Sequence, residues 1–138
     1  MIKIEYRDKL TVAQSKFINT EFEKYANVND LKTNYDAFNF LAYENDELTG
    51  ILEGVALYDE IRVNNLIVGE KYRNKKIGTK LLDFVLEYFD SKKWKYISLC
   101  TYEFQAPKFY EKCGFELEYV RKNEGNPKLT KYFFIKHL

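Results

Sequence analysis

Arg73, Lys75 and Lys76 place three cationic side chains within four positions, and Gly78 and Thr79 follow directly. The apolar run Leu66, Ile67 and Val68 precedes this turn, and an amphipathic segment begins at its end. Strand, basic turn and helix start together could bind an anion. The first N–H groups of a helix lack intrahelical acceptors, and the helix dipole adds partial positive charge there. Gly78, without a Cβ, would let a phosphate approach the backbone. The plainer alternative is a solvated lysine-rich turn ahead of an ordinary helix, with Thr79 one more helical residue rather than a hydroxyl donor. A second group lies in QAPKFYEKCGF, residues 105–115, where Tyr110 is either a proton donor or a core tyrosine. Glu53, Glu60 and Glu103 are candidate bases or solvated carboxylates. Cys113 stands before Gly114 at a predicted helix end, where a thiolate gains little electrostatic support. No His, Cys or Asp cluster has metal-ligand spacing, so no metal site is expected. His137 lies near the C-terminus and is read as a surface residue.

These residues need elements to hold them. IKIEY, residues 2–6, alternates and predicts a strand. Thr11 is a suitable N-cap for a helix over about 12–26, with Ile18, Phe22, Tyr25 and Ala26 on one face. Residues 27–36 are polar and broken, and fit either a short second helix or a loop. AFNFLAY (37–43), LTGILEGVALY (48–58) and residues 61–68 predict three strands joined by short turns, as in an antiparallel meander. Gly50 and Gly54 mark a bulge or a close backbone approach. Ile77, Leu81, Val85 and Phe89 recur every four residues, which predicts a helix ending near Ser91. KYISLCT (95–101) reads as a strand buried on both faces, parallel to the one before the helix. Pro107 starts a short helix that Gly114 ends. FELEYVR (115–121) and LTKYFFIKHL (129–138) are the last strands. The fold class is α/β (α+β), a mixed twisted sheet of about seven strands with three to four helices, in one domain over residues 1–138.

Composition narrows the function classes. With 138 residues, 46% hydrophobic and 31% charged, the chain has the make-up of a soluble globular domain. A net charge of +1 argues against a dedicated nucleic-acid binder. MIKIEYRDKL carries charges throughout and reads as no secretory signal. No apolar run approaches the ~20 residues of a membrane helix. A reduced, cytoplasmic protein is the expectation, with Cys100 and Cys113 not joined.

The stretch from Arg73 to Gly78 resembles the acyl-CoA signature of the GNAT superfamily of N-acetyltransferases, Arg/Gln-x-x-Gly-x-Gly/Ala. Lys76 stands where the pattern has its middle glycine. Ala106, Phe109, Tyr110, Gly114 and Phe115 are similar to the superfamily's Ala-x-x-Phe-Tyr-x-x-x-Gly-Phe segment, with Glu103 in place of a frequent Asn. The element order agrees as well. The resemblance implies acetyl-CoA as cosubstrate and direct acetyl transfer to a primary amine. It implies that Leu66, Ile67 and Val68 carry the pantetheine arm along the strand. Arg73, Lys75, Lys76, Ile77, Gly78 and Thr79 would surround the pyrophosphate, and Tyr110 would protonate the departing thiolate. Histone-type members carry a Glu on the strand before the signature, and the matching position here is Arg62. The base therefore falls to Glu53, Glu60, Glu103 or a water chain. Glu103 leads, because it sits just past the parallel strand's C-terminal end. A small-molecule amine is the expected acceptor, with no nucleic acid, no membrane, and a monomer or homodimer. An acyl-CoA-binding regulatory module without turnover and a protein amine acetyltransferase are the alternatives.

Overall fold

Two-residue turns set the first three strands. Asn45 and Asp46 have φ of 49° and 65°, the left-handed pair whose twist matches a hairpin. They join β1 (Asp36–Glu44) to β2 (Glu47–Leu57), and Tyr58 (φ 58°) with Asp59 joins β2 to β3 (Glu60–Val68). The structure, a computed structural model, describes residues 1–89 and 93–138. After β3 come α2 (Ile77–Tyr88), β4 (Tyr96–Tyr102), α3 (Pro107–Lys112), β5 (Glu116–Arg121) and β6 (Lys131–His137). Among the described residues the sheet has six strands, in the order β1-β2-β3-β4-β6-β5. It is antiparallel throughout except between β3 and β4, so the meander and the parallel pair both form as the sequence predicts.

One face of the sheet holds the core. Leu52, Ala56, Ile61 and Ile97 are at most 1% exposed, and Leu81, Leu82 and Val85 of α2 pack into the same cluster. The four-residue spacing on α2 is what turns these side chains to one side. Beyond its C-terminal half the rings interlock: Phe89 lies 4.9 Å from Phe38 and 5.7 Å from Trp94. α2 is described through Tyr88 with Phe89 as C-cap, and the predicted end near Ser91 lies outside the described residues.

The chain divides into two compact units, Met1–Thr33 and Asn34–Leu138. The first contains α1 (Val12–Val28), opened by a reciprocal cap. Gln14 N–H donates to Thr11 Oγ1 (3.2 Å), and Thr11 N–H donates to Gln14 Oε1 (2.8 Å). Residues 2–6 form no strand, contrary to their alternation. Alternation specifies which side chains share a face, but a strand also needs a partner backbone, and among the described residues none pairs with this segment. Residues 29–35 form no second helix, which settles that region as a turn and loop.

Candidate active site

The parallel pair opens into a slot. β3 and β4 pair only at Glu60↔Tyr96, Ile61↔Ile97 and Arg62↔Ser98. Beyond Arg62 the strands run on without pairing. The cause lies on the other side of β3, where Gly54 pairs with Val63 and Glu53 with Asn65, leaving Asn64 as an extra residue. Such a bulge bends and twists its strand. Gly54 makes it possible: a Cβ there would lie 2.1 Å from the Arg62 carbonyl oxygen. Gly54, read from the sequence as a bulge or a close backbone approach, and the Asn64-Asn65 pair were the sequence signals for this feature.

The register also decides which backbone groups face the slot. Gly69 N–H donates to Thr49 O at 2.8 Å, so Gly69 points toward β2. Direction alternates along a strand, so Ile67, opposite Ile51, also points to β2. Leu66 and Val68 point the other way, into the slot. Of the three residues the resemblance assigns to the donor's arm, these two offer backbone groups to it, and Ile67 is committed to the sheet. The Val68 carbonyl already accepts from Arg73 Nε at 3.1 Å, which leaves its N–H for a ligand.

The basic turn leads from the slot to α2. Lys75 Nζ lies 3.3 Å from Glu44 Oε2 and 5.6 Å from the centre of the Tyr72 ring. Lys76 has φ 62° and ψ 22° and is the N-cap of α2. This is the left-handed region that favours glycine, and lysine adopts it here at a cost of roughly 1–2 kcal/mol. The substitution therefore keeps the twist that a glycine would supply and adds a charge. Lys76 forms no side-chain cap bond, unlike Thr11 of α1. The N–H groups of Ile77, Gly78 and Thr79 thus lack helical acceptors and suit a pyrophosphate.

The side chains of those three residues have other tasks. Ile77 packs on the core, where a Cβ at Gly50 would meet its Cγ2 at 3.3 Å. A Cβ at Gly78 would lie 3.0 Å from Phe109 Cζ, so this glycine admits α3 against the start of α2. Thr79 lines a small cavity with Cys113 and Lys136. Burial pushes the Cys113 thiol up, against the opposing pull of Thr79 and Lys136, so Cys113 is poorly placed to be a thiolate.

Tyr110 is 7% exposed, with ring centres of Phe109, Phe115 and Phe134 at 5.1, 5.9 and 5.9 Å. Burial pushes its pKa up to about 12, so its hydroxyl keeps its proton at neutral pH. α3 ends in a Schellman motif. Phe115 N–H donates to Tyr110 O and Gly114 N–H to Glu111 O, both at 3.0 Å, with Gly114 at φ 86°. Glu103 is exposed just past β4, and its nearby carboxylate raises the pKa of Tyr132. Arg62 is held by Glu60 at 2.7 Å. His137 is exposed on β6, its ring centre 6.4 Å from that of Tyr96, and stands apart from the slot. Cys100 and Cys113 are both free thiols. No described helix is long and apolar enough to cross a membrane.

The sequence matches the profile of the Acetyltransferase (GNAT) domain over residues 36–117. Among solved structures, an acetyltransferase from Bacillus cereus shares 22% identity and a TM-score of 0.75, over 97% of this chain and 98% of that one. A structure from Agrobacterium tumefaciens assigned to the acetyltransferases gives 20% identity and 0.80, over 99% and 100%. A GNAT family acetyltransferase from Elizabethkingia anophelis with acetyl-CoA bound gives 20% and 0.64, over 86% and 82%. At these identities the likeness shows the fold. No curated protein matches the sequence significantly.

Proposed function

The chain belongs to the GNAT acetyltransferase family, and from that premise we propose that it moves an acetyl group from acetyl-CoA directly to the primary amine of a small molecule in the cytoplasm. The whole of residues 1–138 serves as one N-acetyltransferase domain in this reading. The observation that carries it is the parallel pairing that ends at Arg62↔Ser98. It leaves one strand edge open, beside a helix start with no cap of its own.

The residues fit the donor. Leu66 and Val68 offer strand hydrogen bonds to the amide-bearing arm. The amides of Ile77, Gly78 and Thr79, with Arg73, Lys75 and Lys76 around them, suit the pyrophosphate. Transfer then makes three demands. The acceptor must lose a proton, since alkylamines have pKa near ~10. The thioester carbonyl must be polarised, and the slot-facing N–H of Leu66 or Val68 can do this as an oxyanion donor. The leaving thiolate gains from a proton, and Tyr110 is the acid in this reading. Glu53 and Glu103 are the carboxylates that compete for the role of base.

Free-thiol release from acetyl-CoA with a panel of small primary amines tests the function. Turnover with one acetylated amine formed per thiol is the expected result. Tight acetyl-CoA binding by calorimetry without turnover of any amine would show a binding module instead.

A further inference from the structure

We propose that Glu53 is the general base for the acceptor amine and that Asn65 is its positioning residue. The inference rests on the acetyl-transfer reading above and names the group that removes the acceptor's proton.

Leu52, Gly54 and Ala56 face the core beneath α2, so Glu53, between them, projects from the opposite face of the sheet. Asn65 stands directly across from it, and its Nδ2 donates to Glu53 Oε1. Asn65 is also the first residue after the bulged Asn64, where β3 has already left β4. The next residue, Leu66, turns its N–H into the slot. The backbone of Glu53 therefore lies one strand spacing, about 5 Å, from β3, and about two, roughly 10 Å, from a thioester arm paired to the open edge, a gap that the side chain, the amine and one water can span. Within the unit Asn34–Leu138, α2 packs on the core face of the slot, so an amine approaches from the face that carries Glu53. The groups beside Glu53 on that face are Asn39 of β1, and Asn65 and Arg62 of β3. Arg62 is engaged by Glu60 at 2.7 Å. Glu103 lies beyond the end of β4, past the last residue of the strand that borders the slot.

In the step, the ammonium gives one proton to Glu53, directly or through one water. The nitrogen lone pair forms the C–N bond to the thioester carbonyl carbon. The C–S bond breaks, its electron pair goes to sulfur, and sulfur takes the Tyr110 proton. The second proton of the nitrogen restores the Tyr110 hydroxyl through solvent, and Glu53 releases its proton to water.

The test uses the full chain and the best amine of the panel, with kcat and KM measured from pH 6 to 10. Glu53→Gln keeps size and hydrogen bonding and should lower kcat/KM by ~10²–10³-fold at pH 7. The deficit should shrink toward pH ~10, where the amine loses its proton unaided. Acetyl-CoA affinity by calorimetry and the melting temperature should stay at the wild-type values. Asn65→Ala should lower kcat about tenfold with little change in KM, and should cost nothing further in the Glu53→Gln background. A structural asparagine would cost the same in both backgrounds. A deficit equal at all pH values, activity of Glu53→Gln within threefold of wild type, or the pH-dependent loss appearing in Glu103→Gln would overturn the assignment. If the wild-type chain binds acetyl-CoA and acetylates no amine, the transfer reading itself fails and takes this inference with it.

Discussion

Tyr110, the acid in the proposed transfer, is also a packed core side chain. A phenol enclosed by three aromatic rings loses solvation when it ionises, and this holds the proton in place. Tyr110→Phe should lower kcat by ~10²-fold while leaving acetyl-CoA affinity nearly unchanged. A purely structural tyrosine would instead show earlier melting with kcat within twofold. Stability should respond at alkaline pH. The folded-state pKa is about 12 against an ordinary 10.0, so folding favours the protonated form. Its contribution is complete below pH 10 and is lost as pH rises toward 12, by as much as about 3 kcal/mol. Urea unfolding of wild type and Tyr110→Phe at pH 9 and pH 11.5 measures the difference: the wild type should lose more.

At the scale of elements, backbone geometry at a few positions keeps the site in place. Gly54 lets β3 bulge, because any Cβ would strike the Arg62 carbonyl. Gly54→Ala should therefore cost several kcal/mol or shift the β2–β3 register, visible as a lowered urea midpoint and weakened acetyl-CoA binding. Lys76 offers the opposite sign. Lys76→Gly relieves a left-handed lysine and should raise the melting temperature by a few degrees, for a gain of about 1 kcal/mol. The same change removes a cation beside the helix start, so acetyl-CoA affinity should fall, measured by calorimetry on the same sample. Gly78→Val is a poorer probe of phosphate contact, since it also strikes Phe109.

For the whole molecule, donor binding and folding are linked. A ligand that binds only the folded chain stabilises it by RT ln(1 + [L]/Kd), about 2.7 kcal/mol at a hundredfold excess over Kd. Acetyl-CoA should raise the melting temperature by several degrees, and added salt should reduce that gain, because anion contacts at exposed lysines are screened. A melting temperature indifferent to acetyl-CoA would contradict the donor site. Nearly all of the buried apolar residues lie between Phe38 and Phe134, within the second compact unit.

The sequence alone determined the order of elements from β1 onward, because turn residues, alternation and four-residue spacing are local properties of the chain. Pro107 and Gly114 each act through their own backbone preference and stand where they were expected, and Asn45-Asp46 forms one of the expected short turns. The basic turn at the helix start, proposed here to bind the pyrophosphate, was legible for the same reason, since charge and helix start lie within a few residues. What required tertiary structure was every property that depends on a neighbouring strand. Residues 2–6 alternate as a strand should and form none, because hydrogen-bond partners cannot be read from one segment. The register against β2 gives the slot the amides of Leu66 and Val68 and withholds that of Ile67. Gly78 makes room for Phe109, and Thr79 shares a cavity with Cys113, through the packing of a helix some thirty residues away. Glu53 and Asn65 are twelve positions apart, and only the register that the bulge imposes makes them neighbours.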